Sequence, residues 1–136
     1  MMITLPFPPS VNSYWRHVMV GKHQRTLISE KGRIYRKNVI DECLVANVNN
    51  NLSGPLVCTL ELYPPCNRRR DCDNHAKAVL DAMTHAKVYA DDSQIIDLRI
   101  RMLPKQPPGK VVVTLREISE FEREGLQSDL LAEAAP

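Results

Sequence analysis

Two aspartates one residue apart, Asp71 and Asp73, follow directly on three arginines, Arg68, Arg69 and Arg70. In extended backbone, side chains at i and i+2 point the same way, about 7 Å apart at the backbone. Two carboxylates that close repel each other unless a cation sits between them. Mg²⁺ is the natural choice, since it takes hard oxygen ligands and keeps waters and substrate phosphates in its shell. The chain has no cluster of His and Cys that would favour zinc. Lys77 stands four residues after Asp73, and a further acidic pair, Asp91-Asp92, comes later. Cations that can hold a phosphate thus adjoin anions that can hold a metal. That chemistry predicts metal-dependent hydrolysis of a phosphodiester in structured DNA.

Lys77 has two readings. As the i,i+4 partner of Asp73 it adds a few tenths of a kcal/mol. Near a scissile phosphate its ammonium stabilises developing charge. Spacing alone favours the ion pair. A D-x-D by itself is weak, but D-x-D-N-x-x-K behind an arginine run, with a later D-D, is far more specific. Whether Asp92 returns beside Asp71 and Asp73 is left open, because the intervening helix spans roughly 20 Å.

The elements that must position these residues are legible in outline. Ile3-Thr4-Leu5 starts a strand that Pro6, Pro8 and Pro9 confine to an early end or an edge. Ser10 to Gln24 reads as a loop. Its Asn12, Tyr14, Trp15 and Arg16 suit a surface that grips a backbone and stacks on bases. The alternative is that Tyr14 and Trp15 anchor the loop to the core. Thr26-Leu27-Ile28 reads as a short strand. Ser29 is a candidate N-cap for a helix to about Asn47, with Ile34, Tyr35, Val39, Cys43 and Leu44 as its apolar stripe. Arg33, Arg36 and Lys37 fall mostly off that stripe and read as a solvated face.

Leu56 to Tyr63 alternates, with Leu56, Cys58, Leu60 and Leu62 on one face, and is the clearest strand. After the arginine loop, Asp73 is a candidate N-cap for a helix from Asn74 to about Ala86. Ala76, Val79, Leu80 and Met83 would face the core. Ile95 to Leu103 reads as a strand with Ile96, Leu98, Ile100 and Met102 inward. A last strand, Lys110 to Ile118, sets Val111, Val113 and Leu115 against Val112, Thr114 and Arg116. The expected class is α/β (α+β): a small mixed sheet of about five strands with two main helices packed on it.

The 136 residues fit one domain. Residues 1–116 hold 17 Lys+Arg against 10 Asp+Glu, a balance of +7; residues 117–136 hold one Arg against six acids, a balance of −5. A basic body favours a polyanionic partner. The division expected is a domain over 1–118 and an acidic tail over 119–136, helical or disordered. One use for that tail is to shield the basic surface from nonspecific DNA. No apolar run spans a membrane, and the N-terminus does not read as a signal peptide. Cys43, Cys58, Cys66 and Cys72 form no C-x-x-C pair and read as reduced thiols of a cytoplasmic protein.

Three stretches carry a resemblance: Arg68-Arg69-Arg70-Asp71-Cys72-Asp73-Asn74-His75-Ala76-Lys77, Leu80-Asp81-Ala82-Met83-Thr84, and Val88-Tyr89-Ala90-Asp91-Asp92-Ser93-Gln94-Ile95-Ile96-Asp97. With the opening Ile3 to Asn12 they resemble the RusA-type Holliday junction resolvases, over residues 3 to about 117. The resemblance implies a homodimer, often encoded by phages and prophages, that cuts four-way DNA junctions with Mg²⁺ or Mn²⁺. It implies Asp71, Asp73 and Asp92 as catalytic metal ligands and Lys77 as an essential lysine. Arg68, Arg69 and Arg70, with Asn12, Tyr14 and Arg16, are then the candidate DNA contacts. Cys72 departs from the aliphatic residue often found there, and the tail from Ser119 extends past the family's usual end. Two alternatives remain. One is a noncatalytic DNA-binding module whose acids are structural. The other is an aspartate-based phosphatase, which needs its first Asp at a strand end in a larger parallel domain.

Overall fold

The structure, a computed structural model, describes residues 1–126. Its central strand is β4 (Leu56–Tyr63), in which Leu56, Cys58, Leu60 and Leu62 are fully buried, the alternation the sequence predicts. With β1 (Met2–Pro6), β5 (Ile95–Met102) and β6 (Lys110–Glu117) it forms a sheet of order β1-β6-β4-β5. The β1–β6 and β6–β4 pairs are antiparallel and β4–β5 is parallel, so the sheet is mixed. β1 lies at an edge and ends at its one proline, Pro6, a position where the sheet tolerates proline. β5 lies at the other edge. Leu98, expected inward, is exposed there, since an edge strand is covered less completely.

Helices α2 (Glu30–Val45) and α3 (Ala76–His85) complete the core. Ser29 caps α2 as predicted, its Oγ accepting from the Gly32 N–H at 3.0 Å. Only Tyr35, Val39 and Cys43 of the predicted stripe are buried; Ile34 and Leu44 are exposed. Ala76, Val79, Leu80 and Met83 of α3 are all buried. Both helices end alike. Asn47 (φ 56°) and Lys87 (φ 62°) take the left-handed conformation, and the next N–H, from Val48 or Val88, returns to the carbonyl of Cys43 or Met83. That closure stops α2 at Val45, two residues before the sequence estimate.

The expected loop over Ser10–Gln24 is a correction. A short helix, α1 (Val11–Tyr14), leads into a hairpin of β2 (Trp15–Val20) and β3 (His23–Ile28), which form their own two-stranded sheet. The Thr26–Ile28 strand is the end of β3. Gly21, at φ 64°, supplies the positive angle that a two-residue hairpin turn needs at its first central position. α1 lies tight against α2. A Cβ on Gly32 would stand 2.4 Å from the Tyr14 carbonyl oxygen, so this contact requires glycine.

Parallel strands cannot be joined by a tight turn. The link from β4 to β5 therefore crosses the sheet, and it carries every residue of the central motif. It contains a 3-10 turn, Cys72–His75, then α3, then a second 3-10 turn, Asp92–Gln94. Asp73 is inside the first turn and is not the N-cap of α3; that position belongs to His75. The turn supplies its own backbone bond, Ala76 N–H to the Asp73 carbonyl, so no side-chain cap forms. The four cysteines are free. No helix among the described residues is long and apolar enough to cross a membrane. Of the acidic tail, residues 120–126 are helical and Glu122 reaches back to Arg116 at 2.8 Å; residues 127–136 lie outside the described residues.

Candidate active site

A cleft of about 770 Å³ opens between the segment after β1, helix α2 and the arginine loop. Phe7 and His75 pack at its base with ring centroids 5.0 Å apart. His75 is buried and its Nδ1 lies 2.9 Å from the Pro8 carbonyl oxygen, which fastens the 3-10 turn to the exit of β1. Asn12, Arg68, Arg69, Arg70 and Asp71 all line this cleft. Sequence reasoning missed two further contributors, Lys31 and Asn38 of α2. Their i,i+7 spacing puts both on one helix face, and that was the signal to follow.

The three arginines are not equivalent. Arg70 donates from Nη1 to the carbonyls of Cys66 (2.9 Å) and Arg68 (3.0 Å), and its guanidinium lies 5.5 Å from the Phe7 ring centroid. Its Nη2 also reaches the Cys66 Sγ at 3.2 Å, and this bond helps hold the Cys66 thiol below its ordinary pKa. Arg70 thus shapes the loop, while Arg68 and Arg69 are exposed. Asp71 and Asp73 are exposed, and neither carboxylate has a hydrogen bond or ion pair among the described residues.

The Asp91-Asp92 pair divides its work. Asp91 caps the second 3-10 turn: its carboxylate accepts from the Ser93 hydroxyl and N–H, and its own N–H donates to Gln94 Oε1 at 2.8 Å. The Ser93 hydroxyl bond is the main cause of the lowered Asp91 pKa. Gln94 Nε2 ties the turn to the carbonyls of Leu52 and Gly54, each at 3.0 Å. Asp92 is left for another partner, and Lys77 Nζ meets its Oδ2 at 2.9 Å. Lys77 does not pair with Asp73, because the two residues do not share one α-helix.

Among the described residues no three Asp, Glu, His or Cys side chains gather into a ready metal site. Asp71 lines the cleft, whereas Asp92 stands at the amino end of β5. Lys77, in the first turn of α3, links Asp92 to the helix that Asp73 precedes.

Tyr14 is a correction among the candidate DNA contacts. It is fully buried, so it cannot stack on a base; the core-anchor reading holds. Its hydroxyl donates to Asp81 Oδ2, and Arg36 Nη2 reaches the same oxygen at 2.9 Å. His85 Nε2 lies 3.8 Å from Asp81 Oδ1. Burial first, and the bond to Asp81 second, push the Tyr14 pKa up to about 12. Arg36 is therefore not part of a solvated face. Trp15 packs edge-on against Tyr14, with centroids 4.9 Å apart, and Arg16 is exposed on the hairpin.

The family model for endodeoxyribonuclease RusA matches residues 6–116. The chain belongs to the RusA endodeoxyribonuclease family. Proteins described as crossover junction endodeoxyribonuclease RusA are similar to most of it. That of Shigella sonnei is 40% identical over 116 residues, covering 85% of this chain and 93% of its own. Those of Escherichia coli K12 and Enterobacteria phage 82 are each 39% identical with the same coverage. The RusA match ends at residue 116, ahead of the acidic tail.

Proposed function

We propose that this RusA-family protein is a metal-dependent endodeoxyribonuclease that resolves four-way (Holliday) DNA junctions by paired symmetric cuts. The observation that carries the reading is the division of the aspartates. Among the described residues Asp71 and Asp73 are exposed without partners, next to Arg68 and Arg69 in the chain, and Asp92 is met by Lys77, while Asp91 is used in a cap. Similarity to endodeoxyribonucleases supports the nuclease over the noncatalytic module.

The donor chemistry fits a hard divalent cation. Asp71, Asp73 and Asp92 would hold Mg²⁺, or Mn²⁺ in its place, through carboxylate oxygens. When bound, the cation offsets phosphate charge and acidifies water. Arg68 and Arg69 position the backbone through phosphates without reading sequence. Arg70 holds the loop that presents them and Asp71 to the cleft. Lys77 keeps an ammonium at Asp92, where it would stabilise charge that develops on the phosphate. A two-fold homodimer suits a junction with two equivalent strands, one cut by each subunit.

The test incubates the protein with a synthetic four-way junction and with linear duplex, each with and without Mg²⁺. Junction cleavage only with Mg²⁺ is the expected result. Asp73→Asn should bind the junction as before and cut it at least ~10³-fold more slowly, the scale of several kcal/mol of lost stabilisation. Cleavage by that variant near the wild-type rate would refute the assignment.

A further inference from the structure

We infer that the β2–β3 hairpin is a second DNA-binding element, a basic ribbon that grips a duplex arm of the substrate outside the cleft. The inference rests on the nuclease reading for its substrate class, and its test does not depend on cleavage.

The hairpin stands apart from the main sheet as a two-stranded ribbon. Between Arg16 and Leu27 every residue except Val18 is exposed. Such an isolated ribbon is marginal in water unless something packs on it. One face is held. Trp15 and Ile28 pair across the root and pack against the core.

Register separates the two faces. Arg16 opposes Leu27, Val18 opposes Arg25 and Val20 opposes His23, so these six side chains share a face. The other face holds Trp15, Ile28, His17, Thr26, Met19 and Gln24, with His17 Nδ1 3.1 Å from Thr26 Oγ1. Both arginines are therefore on the face turned away from the core-packed root residues, as diagonal neighbours roughly 7–8 Å apart. Lys22 is at the tip, beside Gly21.

Among the described residues no carboxylate pairs with this charge: Arg16, Lys22 and Arg25 make no ion pair. The first acidic residue in the chain is Glu30. An anion lying across the two diagonal guanidiniums would offset their like charge. A polyanion supplies that, and a two-stranded ribbon fits a major groove about 12 Å wide.

Position ties the ribbon to the cleft. α1 contributes Asn12 and Ser13 to the cleft wall, and the next residue after α1 is Trp15, the first of β2. Ser29, at the far end of β3, donates from its hydroxyl to the carbonyls of Ser13 and Tyr14. Both ends of the ribbon are thus fixed to the wall that faces Arg68 to Asp71. DNA along the ribbon continues into the cleft.

The experiment measures binding of a synthetic four-way junction, with chelator present, from 50 to 200 mM salt. Lys22→Ala/Arg25→Ala should bind at least several-fold more weakly and lower the log–log salt slope by about 2, near 0.9 for each phosphate no longer neutralised. Lys37→Gln/Arg123→Gln is the control. It removes the same charge from cations already paired with Asp41 and Glu120, and its slope should match wild type. An unchanged slope in the hairpin variant overturns the proposal. So does an equal loss in the control, which would mean net charge alone, or a change in oligomeric state caused only by the hairpin variant. Lys22→Glu, at the exposed tip, replaces the double variant if that fails to fold, with weaker junction binding expected and unchanged binding fatal. Absence of Mg²⁺-dependent cutting by the wild type would defeat the nuclease reading while leaving this measurement intact.

Discussion

Arg36 and Lys77 each place a cationic nitrogen 2.9 Å from an aspartate Oδ2, in surroundings that differ. The Arg36–Asp81 pair is at the seam of α1, α2 and α3, with side chains 23% and 17% exposed, and it shares its oxygen with the Tyr14 hydroxyl. Lys77–Asp92 has side chains 53% and 27% exposed, and Nζ has no other protein partner among the described residues. A pair out of water, with its remaining hydrogen-bonding groups filled, is a joint between elements; breaking it strands a charge. A pair in water stabilises little and its members stay open to a ligand. Equal distance therefore says nothing about role. Burial and the number of further partners do.

The contrast is open to attack at both sites. Lys77→Met should lower junction cleavage by about 10²–10³-fold, the scale seen when one transition-state donor is removed. Its unfolding free energy in urea should stay within about 0.5 kcal/mol of wild type. A large loss of stability would make the two pairs alike. Arg36→Met should do the reverse, costing about 2–3 kcal/mol in urea unfolding. That is less than a fully buried pair, because Asp81 keeps some access to water. A stability change under ~0.5 kcal/mol would deny it a structural role.

Tyr14→Phe is the mildest of the three, about 1 kcal/mol at neutral pH, with one donor to Asp81 removed. It also sharpens the pH argument. The folded pKa of Tyr14, about 12, lies above the ordinary value of 10.0. Between those values the unfolded chain gives up the proton and the folded one keeps it, so stability falls as pH rises from about 10 through about 12. The phenylalanine variant lacks that contribution, and the gap between the two proteins should narrow across this window. A gap that widens in alkali would contradict the placement of Tyr14.

Much of this fold is legible in the residues alone. Alternation in β4 and β6, and the stripe of α3, follow from burial on one face, which leaves a period in the sequence. Asp71, Asp73, Lys77 and the Asp91-Asp92 pair stand out by residue type and spacing, while the choice of Asp92 and a catalytic role for Lys77 rest on the family resemblance. The hairpin does not, although Gly21-Lys22 between two six-residue runs is a two-residue turn signal. Its strands lack a clean apolar alternation because neither face is deeply buried. Tyr14 misleads for a related reason: a hydroxyl among cations reads as a binding residue until Asp81 is seen beneath it. The partner of Lys77 cannot be read locally, since it depends on where the crossover returns. The resemblance picks Asp92 over Asp91, and the capped 3-10 turn supplies the physical reason for that split.

The parallel pairing of β4 with β5 has a consequence during synthesis. A nascent chain that has emerged only through α3 already carries Asp71, Asp73 and Lys77, yet Asp92 and the strand that fixes it are still to come. Long-range parallel pairing forms late, after the intervening loop has closed. On the metal-site reading, a growing polypeptide could not cut DNA until the segment carrying Asp92 and β5 has emerged and paired with β4.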